Sequence, residues 1–163
     1  MKILILSDTH RRVERLSRVL AMHADADFAC FLGDGLNDLA AASRVFPAPI
    51  YEVCGNCDSA SLCPTAPGTR IVEREGHRLF LTHGHLYGAK WGQGGLVAAA
   101  KDAGCDIVLY GHTHLPQETY LSDENMYLFN PGSLGEPREG EPSYGLLLLD
   151  GKNVLFSHGT LPR

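Results

Sequence analysis

Apolar residues in this chain come in short, nearly continuous runs, each cut off by small, polar or imidazole-bearing residues. Lys2 to Leu6 is the first, and it stops at Ser7-Asp8-Thr9-His10. A run of that length without alternation predicts a strand buried on both faces. Val13, Leu16 and Leu20 then recur at a spacing that fits one stripe of a helix running to about His23. Phe28 to Leu32 predicts a second strand, closed by Gly33-Asp34-Gly35 and followed by a helix with Leu36, Leu39 and Ala40 turned inward. Ile50 to Val53 predicts a third, closed by Cys54-Gly55-Asn56-Cys57-Asp58. Strand, loop and helix in alternation imply parallel strands joined by crossover helices.

Past the Pro/Gly-rich loop from Cys63 to Gly68 the pattern changes. Thr69 to Glu73 and His77 to Thr82 flank Glu75-Gly76 as a hairpin would, and the second of these strands ends at His83-Gly84-His85. Gly92 to Ala103 predicts a small, alanine-rich helix stopped by Gly104 as a C-cap. Asp106 to Tyr110 predicts a strand that runs into Gly111-His112-Thr113-His114. Two more hairpins follow, one turning near Asp123 to Asn125, the other at Asp150-Gly151 between Tyr144–Leu149 and Val154–Phe156. So many strands with so few helices imply an α/β fold of two stacked sheets with helices on the outer faces.

Composition narrows this picture. At 163 residues the chain is expected to form one domain, residues 1–163, burying roughly 70% of the surface its unfolded form exposes. No apolar stretch approaches the length that spans a membrane, and Asp8 and His10 interrupt the N-terminal run before it resembles a leader, so a cytoplasmic protein is expected. Of the five cysteines, Cys54, Cys57 and Cys63 lie close together without a second well-spaced pair. That disfavours a four-thiolate zinc site and leaves reduced thiols as the expectation. The net charge of −5 disfavours stable nucleic-acid binding, which depends on Lys and Arg neutralising phosphates, but leaves room for a local positive site.

The chemistry collects at the ends of the apolar runs: Asp8 and His10, Asp34, Asn56, His83, and His112 with His114. In open α/β sheets the loops after the carboxyl ends of strands share one edge, where ligands bind. Taken one at a time these residues have plain structural accounts, with Asp8 and Asp34 as helix caps, Asn56 as a turn residue and a histidine satisfied in the core. Independent caps and turns are not expected to supply imidazoles and carboxylates at five strand ends in a row. Seven donors exceed one tetrahedral zinc and fit two cations sharing a carboxylate, ~3.5–4 Å apart. Two divalent ions, two aspartates and a bridging hydroxide leave about one positive charge, an electropositive pocket suited to phosphate. Imidazole and carboxylate donors without thiolate favour manganese, iron, nickel, cobalt or zinc over magnesium or calcium.

Asp8-Thr9-His10, Gly33-Asp34, Gly55-Asn56-Cys57-Asp58, His83 within His-Gly-His, and Gly111-His112-Thr113-His114 resemble, in order and spacing, the motifs of the calcineurin-like metallophosphoesterase superfamily. The compact length and Asn130-Pro131-Gly132-Ser133 are most similar to its small single-domain YfcE-type phosphodiesterases. The resemblance implies a four-layer αββα sandwich of two mixed sheets, with a dinuclear site at one edge. By motif, Asp8, His10, Asp34 and His114 would hold one ion, and Asn56, His83, His112 and the shared Asp34 the other. Manganese is the first choice of metal, with nickel, iron, zinc or cobalt as alternatives. The expected reaction is hydrolysis of a small-molecule phosphodiester by in-line attack of a metal-bridging hydroxide, with phosphomonoester hydrolysis as the enzymatic alternative. A non-catalytic scaffold of the same fold, as in a eukaryotic retromer subunit, is the other class, and a homo-oligomer is compatible with either.

One position departs from the superfamily pattern: Cys57 stands where many members carry a histidine that protonates the leaving group or contacts the phosphate. A thiol of ordinary pKa ≈ 8.5 is a poor substitute, and His85 is the nearest other proton donor in sequence, or else a hydrogen-bonding support. Asn37 and Asp58 are candidates to orient ligands. Arg11, Arg12 and Arg15 crowd a helix start, where positive charge opposes the macrodipole. Arg11 or Arg12 contacting a substrate phosphate would account for that placement, as would a solvated surface. Tyr87 and Trp91 either border the pocket or pack as ordinary aromatics.

Overall fold

The computed structural model describes residues 1–63 and 66–162. Of the loop expected from Cys63 to Gly68, residues 64 and 65 lie outside the described residues. Among the described residues ten strands form two five-stranded sheets. The first sheet is built on β1 (Lys2–Leu6), which pairs in parallel with β2 (Phe28–Phe31), itself parallel to β3 (Ile50–Glu52). On its other side β1 pairs antiparallel with β9 (Ser143–Asp150), and β10 (Asn153–Thr160) closes the sheet as the hairpin partner of β9. The second sheet also holds three parallel strands, β5 (His77–Thr82), β6 (Ile107–Tyr110) and β8 (Met126–Pro131), but has an antiparallel strand at each edge, β4 (Thr69–Arg74) and β7 (Pro116–Leu121).

Alternation along the central strands sorts the core into three layers. Ile3 and Ile5 point between the sheets and pack with Val72, Leu79, Leu81, Ile107, Leu109 and Phe129. Leu4 and Leu6 point the other way, onto α1 (Val13–Met22) and α2 (Leu36–Ala42) through Leu16, Val19, Leu20 and Leu39. On the far side Phe80, Val108 and Leu128 meet Leu96 and Ala100 of α3 (Gly94–Asp102). The order is helix, sheet, sheet, helix, the expected αββα sandwich. Each fully buried Leu or Val of α1 contributes roughly 1.5–3 kcal/mol, so Leu16, Val19 and Leu20 anchor that helix although its N-cap, Arg12, makes no side-chain cap.

Three expectations need correcting. Ala40 is exposed and Ala42 takes the inward position, because the stripe of α2 runs Leu36, Leu39, Ala42. The helix expected from Gly92 begins at Gly94, since Gly92 adopts a left-handed φ of 152° before Gln93 caps the helix. The expectation of reduced thiols fails at Cys54 and Cys63, which are joined in a disulfide, and holds at Cys30, Cys57 and Cys105. Among the described residues no helix is long and apolar enough to cross a membrane.

Candidate metal centre

The carboxyl ends of β1, β2, β5 and β6 emerge at one edge, where their loops interlock through the main chain. Asp8 N donates to Gly33 O, His10 N to Asp34 O, and Gly111 N to His83 O. Close approach there depends on glycine. A Cβ on Gly55 would strike Asp34, and one on Gly111 would strike Ser7 and Asp8. Eight non-glycine residues among those described have positive φ, and six of them lie in these loops: Asp8, His10, Arg11, Asp34, His112 and His114. That conformation is uncommon for residues with a Cβ and gathers at sites where the surroundings impose it. It also explains the His-x-His run, since left-handed turns at 112 and 114 break the strand alternation and Thr113 alone turns into the interior.

The donors converge in two overlapping sets. Asp8, His10 and His114 form one: His114 Nε2 lies 3.1 Å from Asp8 Oδ1 and 3.1 Å from His10 Nε2, and His10 Nε2 lies 3.7 Å from Asp8 Oδ1. Asp34, His83 and His112 form the other, with His83 Nε2 3.3 Å from Asp34 Oδ2 and 3.2 Å from His112 Nδ1. The sets touch, because His83 Nε2 is 3.9 Å from Asp8 Oδ1 and His10 Nε2 is 4.0 Å from Asp34 Oδ2. A third grouping joins His10 and Asp34 to Cys57. Asn56 is exposed, and its amide nitrogen donates to Cys57 Sγ at 3.3 Å.

Each ligand candidate is aimed by a neighbour. His83 Nδ1 donates to Leu32 O and His114 Nδ1 to Glu136 O, both at 2.7 Å, which directs each Nε2 inward. Asp8 Oδ2 accepts from Ser7 Oγ and from the His112 N–H, and Asp8 O accepts from Ser133 Oγ at 2.8 Å. Asp34 Oδ1 accepts from Cys57 N at 2.7 Å. The Asp58 carboxylate accepts four main-chain N–H groups, from Asp34, Gly35, Leu36 and Gly55, and so clamps the 34 and 55 turns together. Neither Asp8 nor Asp34 caps a helix; α2 is capped from outside by Asp58.

Electrostatics follow from this packing. Burial would raise the Asp8 carboxyl, but His10, His114 and His83 hold it far below the usual range. Asp34, also opposed by burial, is held down to about 2 by His83 and the Cys57 N–H. The hydrogen bond to Asp8 raises His10, and Asp34 and Asp8 raise His83 against its burial. Burial and the neighbouring His83 push His112 down to about 4. Burial and Asp34 push the Cys57 thiol up to about 11, so it is protonated at neutral pH. His85 stands beside the centre, its ring centroid 5.3 Å from that of His83, lowered by burial and by His83, with Nδ1 buried and unpartnered. It joins none of the converging donor sets.

The residues fit cations. Asp8 Oδ1 is buried and has no hydrogen-bond partner while three imidazoles stand within 3.9 Å of it, an arrangement that leaves a carboxylate oxygen facing ligand nitrogens. Outside the centre opens a cleft of about 430 Å³, lined by His10, Arg11, Asp34, Asn37, Cys57, Asp58 and Glu136 among others. Arg11 is on its wall and also lines a neighbouring hollow with Arg12, Val13, Glu14 and Arg15. Arg15 is spent on Leu134 O and Gly135 O. Tyr87 packs against Phe80 and Trp91 is 94% exposed, so neither borders the cleft.

Sequence reasoning missed several supports. Asp38 is buried and accepts from Thr9 Oγ1 and Arg11 N, holding the turn that presents His10. Asn130 is buried and donates to Gly111 O and Thr113 Oγ1, bracing the His-x-His loop. A charged residue at an inward position of α2 was the available signal for the first; Asn-Pro-Gly-Ser after a strand was the signal for the second.

Residues 1–160 match the calcineurin-like phosphoesterase superfamily domain. The phosphodiesterase YfcE of Escherichia coli K12 is 35% identical over 178 aligned residues, covering 95% of this chain and 91% of that one. A Streptococcus pneumoniae protein described as a predicted phosphoesterase superposes with a TM-score of 0.82 at 25% identity, over 98% of this chain and 88% of the other. Entamoeba histolytica Vps29 complexed with zinc superposes with a TM-score of 0.75 at 19% identity, over 98% and 99% of the two chains, a likeness of fold.

Proposed function

The chain belongs to the calcineurin-like phosphoesterase superfamily, and on that premise we propose that it is a metal-dependent phosphodiesterase working at a dinuclear centre. The observation that carries this reading is the buried, unpartnered Oδ1 of Asp8 set among His10, His83 and His114. Asp8, His10, Asp34 and His114 would hold one cation; His83, His112, Asn56 and the shared Asp34 would hold the other. Two divalent cations, manganese first among manganese, nickel, iron, zinc and cobalt, would supply the Lewis acidity that makes water nucleophilic at neutral pH and offsets charge on the phosphoryl oxygens.

The chain's own residues do the rest. Leu32 O and Glu136 O lock two imidazole orientations, and Asp58 fixes the turn that carries Asp34, so little reorganisation is needed when substrate arrives. Asn56 spends its amide nitrogen on Cys57, which leaves its oxygen as the donor atom. Arg11 on the cleft wall offers a positive charge to an anionic ester. A thiol raised to about 11 at Cys57 is a weak proton donor, and His85 is lowered and set apart from the converging donors. Leaving groups that depart without protonation, such as aryl oxides, therefore suit this site best, which together with the likeness to a phosphodiesterase favours diesters over monoesters.

The test is hydrolysis of an aryl phosphodiester and the matching monoester by protein stripped of metal and reloaded with manganese, nickel, zinc or magnesium. Turnover of the diester in preference to the monoester is expected. Equal or greater monoester turnover replaces the substrate class, and silence with every metal moves the chain to the scaffold reading.

A further inference from the structure

We propose that Cys57 is itself a cation ligand, giving the cation position beside His10 and Asp34 a soft donor that biases it toward zinc, cobalt or cadmium over manganese. This rests on the dinuclear reading above, adds a residue to it, and at this one position puts zinc or cobalt ahead of manganese. His10, Asp34 and Cys57 each offer a ligand atom within 4.8 Å of the other two. Atoms bound at ~2.0–2.3 Å to one ion sit at comparable mutual separations, and an exposed side chain needs only a small movement to complete the set. A second observation points to the same position. The Asp8 side chain is fully buried, its Oδ1 is unpartnered, and it faces His10 Nε2 at 3.7 Å and His114 Nε2 at 3.1 Å.

The sulfur is placed there by the loop. Cys57 N–H donates to Asp34 Oδ1, Asn56 Nδ2 donates to Cys57 Sγ, and the segment is tied down by Asp58 and by the Cys54–Cys63 disulfide. A sulfur that accepts a hydrogen bond beside a carboxylate and an imidazole is disposed as a donor to a cation. The other free thiols, Cys30 and Cys105, are buried and belong to no such grouping. Coordination replaces the S–H bond by a sulfur–cation bond and releases the proton to solvent, with no change of oxidation state. Thiolate in a site otherwise built from imidazole and carboxylate shifts its preference toward thiophilic ions.

Cobalt reports on this directly. Metal-stripped protein reloaded with two equivalents of Co²⁺ is expected to show a thiolate-to-cobalt charge-transfer band in the near ultraviolet as well as the visible ligand-field bands. Cys57→Ser should lose the first, keep the second, and lower the affinity for zinc relative to manganese by roughly 10- to 100-fold. Cobalt bound without a charge-transfer band, or a band that survives Cys57→Ser, overturns the role of Cys57 and leaves the dinuclear reading standing. Failure to take up cobalt overturns both. Should Cys57→Ser misfold, the wild-type protein decides: Cd²⁺ should slow alkylation of Cys57 by iodoacetamide, read by mass spectrometry, while Mg²⁺ does not. Equal rates overturn the proposal.

Discussion

The two donor sets share one architecture and differ in their exposure to water. His83 is fully buried and takes its orientation from the carbonyl of Leu32, the buried residue just past β2. The side chains of His10 and His114 are each 17% exposed, and His114 is oriented from a loop carbonyl, Glu136 O. The cleft opens on His10 and not on His83. A dry half makes its imidazole part of the fold, whereas a wet half can exchange ligands and admit an ester. On the proposed function the same edge serves stability on one side and chemistry on the other.

The sharpest way to break this contrast is to remove Asp34, the residue proposed to serve both sides. Asp34→Ala should abolish binding at both positions and lower diester turnover by more than the ~100-fold that losing an outer partner of a ligand costs; elemental analysis should find less than one bound metal per chain, and two bound ions would refute its sharing. The halves should then separate. His83→Ala leaves Leu32 O buried without its donor, a cost of roughly 1–3 kcal/mol, so thermal melting of the metal-free protein should fall along with activity. His114→Ala should cost activity with little change in melting, and added imidazole should restore part of it. Equal melting losses would show that the two sides do not differ as described.

Asp58→Ala addresses the clamp beneath both. Four main-chain N–H groups lose a charged acceptor, two of them at the start of α2. Metal affinity is expected to fall roughly 10- to 100-fold, measured by competition with a chelating dye, and Asp58→Asn should recover only part. An unchanged affinity would mean that the turns hold themselves.

How much of this could be read in the sequence depended on whether a feature has a side-chain signature. The strands were legible because β1, β2, β5 and β6 are apolar runs that stop at polar residues, and stacking two sheets then puts Asp8, Asp34, His83 and His112 at one edge. The groups that aim them were not, because Leu32 O and Glu136 O are carbonyls that any residue would supply. The left-handed turns at Asp8, His10, Asp34, His112 and His114 were equally hidden, since glycine is the usual mark of positive φ and these residues are imposed on by their surroundings. Asp38 looked like an ordinary acid at a helix start. The Cys54–Cys63 bond depends on how a loop folds back, which spacing alone does not dictate.

Acid should test the two halves through their imidazoles. His10 in the wet half and His83 in the dry half are both raised by carboxylates in the metal-free protein, so protons compete with a cation for each imidazole. Apparent affinity should therefore fall as pH drops, by about tenfold per pH unit for each proton displaced, read by metal titration between pH 8 and 6. His112 has the opposite sign. Lowered to about 4, it takes a proton less readily folded than unfolded, so its contribution to stability is present above ~6.5 and lost as pH falls toward 4. Part of the melting loss of metal-free protein between pH 7 and 5 should vanish in His112→Asn, and an identical loss would show that this histidine is not the group responsible.

The smallest expected effect concerns the wet side alone. Arg11 lines both the cleft and the neighbouring hollow and its main-chain N–H is held by Asp38, whereas Arg12 lines the hollow alone and serves as the uncapped start of α1. An exposed guanidinium facing an anion across water contributes ~0.2–1 kcal/mol, so Arg11→Ala should raise the Michaelis constant for an anionic diester about two- to fivefold and leave the turnover number nearly unchanged. Raising the ionic strength should shrink the difference, because the interaction is screened. Arg12→Ala should change neither constant. Equal effects of the two substitutions would mean that both arginines act through the general field of the helix start, and no effect from either would make this stretch plain solvated surface.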